Sequence, residues 1–543
     1  MFYHWIGHLI IFRVLSLVFL GFLTSSLPAQ TLPVSDRSMQ EYWRLKQLSG
    51  NLDSVISFHI LPFSSTALTE SQDSSAFRTL PENLLKFSEN FQFSLLPLNL
   101  VQQFNSHHPY GWNDGAMIPA KSYQSNFSAG FFTKLGPLSI QLQPEFIFAG
   151  NPPYLEGNDL AAANKYQDYL SFGYSADIPA YYKIRNFTYL GFGQSSIRLN
   201  FGPASIGISN ENLWWGPGRK NSLLMSNSAR GFKHLTLNTL YPVSTPLGSI
   251  EGQLISGRLE NSDFPYNNLG NPEWRYLSGL VFNYQPRWVP GLFIGLSRVF
   301  QMYHSDVSGI DDYFPLFQPF EKLKTNEGSK NRDQITSVFG RLLIEKAQSE
   351  IYFEYGRNDH SVDIRDFNME PDHSRAYIVG FQKLVDLAPI SEKLLISAEI
   401  AQLSQSPVRF VREAGSWYVH SISQGYTHRG EVLGAGIGPG GNTQTFDVSW
   451  LKGLKKLGIQ FERYVDNNDY YQIISRGNSG QNGQWVDLSA GVLFNWDYKN
   501  LLINGKIQGI QSLNYLWQSG FHGTVHKNVF NVHANVGLSY YLK

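Results

Sequence analysis

From about Phe91 to the C-terminus, apolar and polar positions alternate with a period of two. Leu138, Ile140, Leu142, Phe146 and Phe148 are interleaved with Ser139, Gln141, Gln143 and Glu145. Val486, Leu488, Ala490, Val492, Phe494, Trp496 and Tyr498 alternate with Asp487, Ser489, Gly491 and Asn495. The last segment sets Phe530, Val532, Ala534, Val536, Leu538 and Tyr540 against Asn531, His533, Asn535, Gly537 and Ser539. Successive side chains of a strand point to opposite faces. Each segment therefore has one greasy face and one polar face that is rarely charged. A soluble sandwich produces the same alternation with its greasy face inward, so the period alone does not choose between sandwich and membrane barrel.

Gap lengths add a second signal. Eighteen strand-like segments can be placed, the first near 92–102 and the last near 528–541. Alternate connections are short: Lys134 to Pro137, Pro203, Ser244 to Gly248, Pro286 to Pro290, Lys346 to Gln348, Lys452 to Lys456, and Lys499-Asn500. Leu384 to Lys393 is the longer exception. The remaining connections run from about a dozen residues upward, and short turns at one end with long loops at the other is the pattern of outer-membrane barrels. The expected fold is all-β, a transmembrane antiparallel barrel of about eighteen strands. Lipid cannot satisfy a free sheet edge, so the first strand should pair with the last. Trp288, Trp450, Trp496, Trp517, Tyr540 and Tyr541 lie at strand ends, where interfacial girdles or ordinary packing would place them.

The start of the chain reads differently. His4, His8 and Arg13 surround an apolar core, Val14 to Leu23, followed by small residues up to Ala29. This reads as an export signal, residues 1–29, cleaved near Ala29, and it is shorter than the roughly 20 apolar residues of a spanning helix. Asp36 or Ser38 can cap a helix through Met39 to Leu48, which Gly50 and Asn51 would end. Residues 30–90 are read as a small periplasmic helical and irregular segment, and 91–543 as the barrel.

Composition narrows the function classes. Charged residues make up 16% of the 543, against about 25% in ordinary domains, and aromatics make up 15%. Lys+Arg and Asp+Glu balance at 43 each, which argues against a nucleic-acid partner. The absence of cysteine removes disulfides, Cys-based zinc sites and thiol nucleophiles. No blade-length repeat near 40–50 residues marks a propeller.

One stretch carries unusual chemistry: Asn210 to Arg230, with Glu211, Trp214, Trp215, Gly216, Pro217, Gly218, Arg219, Ser226 and Asn227. Turn residues directly after paired tryptophans break any strand. Exposed tryptophan faces can stack on sugar rings while Arg, Asn and Glu bond hydroxyls or carboxylates. Alternatively, Trp214 and Trp215 anchor a loop inside the barrel mouth.

The run ENLWWGPGRKNSLLMSNSARGFKHLTL resembles the signature of the capsule assembly Wzi family, outer-membrane lectins for capsular polysaccharide. YWRLKQLSG, NDGAMIPAKSYQ at Asn113 to Gln124, and GPLSIQLQPEFIFAGN at Gly136 to Asn151 resemble its Bacteroidetes branch. The resemblance implies an eighteen-stranded barrel, a small helical periplasmic element and loops folded over the lumen. It also implies carbohydrate-binding candidates: Trp214, Trp215, Arg219, Asn227, Arg230, Glu211, Asn113 and Asp114, with Gly216, Pro217 and Gly218 forming a tight turn. Arg230 would meet an acidic sugar or pair with Glu211. The ending Tyr540-Tyr541-Leu542-Lys543 departs from barrels that finish on an aromatic.

Other constellations are weaker. His107-His108 would diverge and lacks a third ligand, so no metal is expected. Asp311-Asp312, Glu145 with Glu251, and the acids between Asp359 and Asp372 could supply a glycosidase pair only if two carboxyls stood about 5–9 Å apart across a sugar. Gly434 to Gly441 lacks a Walker lysine and reads as a flexible surface loop. The expectation is a non-catalytic, cofactor-free, monomeric protein of the outer membrane. Its partners would be capsular or extracellular polysaccharide and outer-membrane lipid, and it would help assemble or retain the polymer at the cell surface. A porin-like channel for small solutes or oligosaccharides is the alternative.

Overall fold

The computed structural model describes residues 30–542 apart from 54, 70–83, 89–90, 174–175, 180, 263–272, 314, 316–331, 359–363, 389–390, 407–414, 420–423, 476–482 and 519–525. The proposed export signal, residues 1–29, lies outside the described residues. Among the described residues no helix is long and apolar enough to cross a membrane.

The architecture is all-β. One antiparallel sheet of twenty-four strands dominates, and its long strands follow chain order, each paired with the next. Leu98–Asn105 pairs antiparallel with His533 to Tyr540 of the last strand. The number exceeds the eighteen expected for identifiable reasons. Residues 91–105, 122–135, 138–150, 186–201 and 234–245 each hold two strands where one was expected, and Leu84–Ser88 adds another. Pro97, Pro144 and Pro242 stand in three of the five breaks, where a residue without an N–H cannot continue a ladder. At a fourth, Gly130 lies so close to the neighbouring strand that a Cβ would meet the Leu142 carbonyl oxygen at 1.9 Å. Asn186–Gly191, and the helix Gly157–Asp168 before it, fall in a stretch read from sequence as one long connection.

Which face is greasy now has an answer. On Lys455–Val465, Leu457, Ile459 and Phe461 are more than half exposed, while Gln460 and Glu462 at alternate positions are buried. Ile197 and Leu199 point out where Ser196 and Arg198 point in, and Phe146 and Phe148 point out beside Glu145 and Ile147. The apolar side is thus the outer side, the reverse of a soluble sandwich. Trp288, Trp496, Tyr498 and Tyr540 are exposed near strand ends. Trp517 instead packs inward against Tyr166, Tyr470 and Trp485.

Inside the sheet lie described parts of the N-terminal segment and of the long loops, among them 210–233 and 424–441. The helix Arg37–Leu48 starts at Asp36, whose carboxylate accepts the Met39 N–H at 3.2 Å. Leu48 packs against Phe293, Leu343, Leu384 and Leu395, and Met39 and Trp43 share a cluster with Leu454 and Leu502. Those wall residues flank the short turns, so the helix sits at the short-turn end. Buried Arg44 and Arg341 both bind Glu350, at 2.8 and 2.6 Å. Beyond the helix, Ile60–Leu61 forms a two-stranded ladder with Trp214–Trp215. A segment from one end of the sheet thus meets a loop from the other in the middle of the lumen.

Candidate functional site

The loop 210–233 runs through the interior and is buried along nearly its whole length. Trp215 is fully buried in a cluster with Leu223, Leu224, Met225, Leu277, Val281 and Trp417, and its indole N–H donates to Gln253 at 2.9 Å. Gly216 has φ 125°, and a Cβ there would press on the Glu354 carboxylate at 2.8 Å. At Gly218 a Cβ would collide with the Asn221 carbonyl oxygen at 1.9 Å. The turn therefore admits glycine at both positions for steric reasons.

One wall carboxylate holds the turn. Glu399 accepts the backbone N–H groups of Arg219 (2.7 Å), Lys220 (3.0 Å) and Asn221 (2.8 Å), and the Tyr352 hydroxyl at 2.9 Å. The Arg219 guanidinium reaches Glu41 of the N-terminal helix and Ser397 of the wall. Lys456 grips the same Glu41 at 2.8 Å. Burial would raise the Glu41 pKa, but Lys456 and Arg219 outweigh it and hold it down to about 2. Burial opposes the charge on Arg219 too, yet Glu41 and Asp447 raise its pKa above the ordinary value.

Glu41, Arg219, Lys220 and Lys456 border a cavity of about 310 Å³. Trp214, Gly218, Arg219, Asn113 and Asp114 of the sequence candidates line it. Arg37 lies over the Trp214 ring, 5.7 Å from its centroid. Asn113 donates to the Lys220 carbonyl at 2.8 Å, tying the loop 106–121 to the turn. Asp114 accepts from Gln103 at 3.0 Å, and burial pushes its pKa up to about 6. The rest of the lining combines amides (Gln103, Gln460, Asn504, Asn535), rings (Trp112, Phe494) and further cations (Lys220, Lys456, Lys506).

Four candidates lie elsewhere. Trp215 belongs to the core just described. Asn227 donates to the Asn113 carbonyl at 3.0 Å, bracing the two loops together. Of the two readings of Arg230, the pairing with Glu211 is not made. Glu211 instead binds Arg198 at 2.7 Å, with Thr31 and Ser209 beside it. Its pKa is lowered because Arg198 overcomes the opposing effect of burial. Arg230 stacks on Tyr189, 4.3 Å from the ring centroid. Arg198 projects from its strand, Ser196–Phe201, onto Glu211, whereas Arg230 lies over the rings of Tyr189 and Phe187. Pro217 is buried in the turn and Ser226 bonds the Gly434 carbonyl.

The weaker constellations resolve as structure. The His107 and His108 rings converge rather than diverge, with Nδ1 atoms 3.1 Å apart, and both pack on Tyr515. Among the described residues no group of three or more His, Asp or Glu could hold a metal. Glu145 is bonded by Asn126, Glu251 by Ser57 and Asn283, and Asp312 by Ser308. Gly434 to Gly441 is no surface loop: it is mostly buried against the plug, and a Cβ on Gly436 would strike Ser228 and Trp112.

Sequence reasoning missed Arg37, Glu41, Gln460, Glu462 and Lys506 as lining groups. Lys506 carried a readable sign, since it puts a charge on an inward position among neutral ones (Asn504, Gln508). Arg37 carried none, because an arginine in the first turn of a helix is ordinary.

A family model described as capsule assembly protein Wzi matches residues 118–514. No curated protein matches the chain in sequence. Among solved structures the chain is similar to Wzi of Escherichia coli, an outer membrane protein involved in group 1 capsule assembly and described as a carbohydrate-binding β-barrel. The TM-score is 0.63 at 12% identity, covering 95% of this chain and 100% of that one. That likeness shows a shared fold. OpdK of Pseudomonas aeruginosa follows with TM-score 0.38 and 8% identity, over 84% of this chain and 99% of that one. OpdQ of the same organism gives 0.39 and 7%, over 84% and 99%.

Proposed function

The chain belongs to the capsule assembly protein Wzi family, and from that premise we propose that it is a non-catalytic outer-membrane barrel that binds exported capsular or extracellular polysaccharide. It helps assemble or retain that polymer at the cell surface. Residues 91–543 form the barrel, acting as a monomer, with the apolar outer face against lipid. Strands interrupted by prolines and bulges count as single staves in this reading, eighteen in all. The described part of residues 30–69 occupies the lumen at the short-turn, periplasmic end, Leu84–Ser88 joins the wall, and the long loops start from the end that faces the cell exterior.

The observation that carries the binding role is the cavity under Trp214. Planar amides, carboxylates, guanidinium groups and aromatic rings around about 310 Å³ form the surface that saccharides require. Trp214, Arg219, Asn113 and Asp114 contact the sugar. Trp215, Glu211, Asn227 and Arg230 hold the plug that shapes the cavity. Many weak contacts along a repeating polymer then give retention by avidity. The filled lumen favours this reading over a porin-like channel, since Leu223, Leu224 and Met225 meet Trp417, Tyr418 and Leu433 where solute would have to pass.

The test is saccharide binding to folded protein in detergent. Trp214→Ala and Asn113→Ala should weaken it while electrophoretic heat-modifiability, the signature of an intact barrel, is kept. Unchanged binding in the double variant would remove this cavity as the site. Fully cell-associated capsule in a strain lacking the protein would remove the retention role.

A further inference from the structure

One arc of the outer wall breaks the apolar pattern. On four neighbouring strands, Leu292–Tyr303, Arg332–Ile344, Ser349–Arg357 and Arg375–Asp386, a single register row reads Arg298, Thr336, Arg357 and Arg375. Parity fixes the face on which it lies. Four positions toward the short turns the same strands present Ile294, Gly340, Phe353 and Val379, and the three side chains among these are 49%, 51% and 44% exposed. The arginine row therefore stands on the outer face. Arg357 ends its strand and Arg375 opens the next, so the row lies toward the long-loop end.

The surroundings of the row are graded. Between it and the aliphatic positions lies the register pair Tyr355–Tyr377, the side-chain type of an interfacial girdle. Arg332 joins Arg298 on the Phe300 ring, at 4.9 and 4.6 Å from its centroid. These cations have contacts within the protein: Arg298 bonds Gln334 at 2.7 Å, Arg375 bonds the Ser404 carbonyl at 3.0 Å, and Asp372 acts on the same Tyr355 hydroxyl as Arg357 and Arg375. Like charge is nevertheless concentrated, since Arg357 and Arg375 oppose each other directly, an arrangement that destabilises a sheet. At the short-turn ends cations instead meet acids, Lys393 with Asp386 and Lys452 with Glu392. Near the long-loop ends of strands on the far side, outward positions carry Phe104, Tyr123, Phe148, Leu488 and Phe530.

We propose that this arc of the outer wall binds a phosphorylated glycolipid of the outer leaflet, with half-buried Arg375 and Arg332 meeting its phosphates and Arg298 and Arg357 adding charge behind them. A guanidinium matches a phosphate with two parallel hydrogen bonds. A lipid-facing arginine is tolerated only toward the interface, which is where a row just beyond a tyrosine girdle stands. Three strand spacings of about 4.8 Å set the backbones of Arg298 and Arg375 about 14 Å apart, a span suited to a disaccharide headgroup with a phosphate at each end. An anion seated there also relieves the repulsion between Arg357 and Arg375. The site goes beyond saccharide binding in the lumen and rests only on the outer-membrane setting proposed above.

The test titrates the full folded chain, in neutral detergent, with bisphosphorylated lipid A, with the same lipid stripped of phosphate, and with phosphatidylglycerol. Adducts are counted by native mass spectrometry. The bisphosphorylated lipid should bind at least about tenfold more tightly than either of the others, the scale of one charge-assisted contact. Arg375→Gln and Arg332→Gln should each remove about that factor while the barrel stays heat-modifiable. Arg375→Lys should keep most of the affinity, which separates charge from packing. Lys393→Gln, at the short-turn end, should leave lipid binding unchanged.

Equal affinity for lipid A with and without phosphate, or indifference to both glutamine variants, overturns the site. Phosphatidylglycerol binding as tightly as bisphosphorylated lipid A overturns the glycolipid assignment, because the arc would then read charge alone. A loss in Lys393→Gln as large as in Arg375→Gln overturns the placement at the long-loop end. Failure of the folded chain to insert into lipid vesicles would remove the membrane setting itself, a result separate from any of these.

Discussion

Replacing Glu399 with leucine should open the plug without dissolving the wall. Its carboxylate is the acceptor for three consecutive backbone N–H groups of the turn, for the Asn221 side chain at 3.2 Å and for the Tyr352 hydroxyl. Leucine has a similar volume but accepts nothing, so those donors are left buried and unpaired. Hydrogen bonds to a charged group contribute about 1.5–3 kcal/mol each, and orphaning a buried network by removing one partner costs about 3–5 kcal/mol in all. A 4 kcal/mol loss corresponds to about a thousandfold rise in the fraction of molecules with the turn undocked. The wall should survive, because Lys393–Gln402 keeps ten register pairs with each neighbouring strand. Trypsin provides the assay, since Arg219, Lys220 and Arg230 lie in the loop and are protected only while it is docked. Glu399→Leu should remain heat-modifiable, be cut at these sites and conduct ions in planar bilayers. A variant as resistant and as silent as wild type refutes the anchoring role. Loss of heat-modifiability refutes the independence of plug and wall.

Three other outcomes are expected. Trp215→Ala empties the centre of the plug core and should destabilise it by about 3–5 kcal/mol, with Trp214→Ala costing distinctly less because its ring borders the cavity; comparing their proteolysis rates checks the order. Glu211→Ala strands Arg198 in the interior and should cost about 3–5 kcal/mol, which Arg198→Met in the same chain should largely recover in denaturant titrations. Glu41 has a folded pKa depressed from 4.5 to about 2, so its contribution is present above pH 4.5 and lost as pH falls from there toward 2. The N-terminal segment should loosen over that window, followed by hydrogen exchange of residues 37–48, and Glu41→Gln should be looser at pH 7 and flat across it.

The wall was legible because its constraints are local. Period-two alternation and the length of each turn are written within a dozen residues. Even the breaks are marked locally, by Pro97 and Pro144, since a residue without an N–H interrupts a ladder. The plug was not legible, because residue types do not tell an exposed tryptophan pair from a buried one. What buries this pair lies far along the chain: Glu399 is about 180 positions from the turn it holds, and Gln253 is 38 from Trp215. The candidate site was therefore half found. The Trp-Trp-Gly-Pro-Gly run and Asn113-Asp114 marked one wall of the cavity. Arg37 and Lys506 come from the opposite ends of the sequence and meet them only after folding. The Arg230–Glu211 pairing failed for the same reason, since Arg198 is a competitor that only the folded arrangement presents.

The outward apolar face also bears on how such a sequence can drift. In the proposed membrane setting, Phe146, Ile197, Leu457 and Phe461 would meet acyl chains that have no fixed shape, so one greasy residue would serve there nearly as well as another. The inward positions are bound to specific partners: Gln253 to one indole, Glu350 to two guanidinium groups, Glu399 to one turn. Substitution should therefore run fastest where a soluble protein holds its sequence most tightly, and slowest along the polar lining. A fold kept at 12% identity is what that inversion permits.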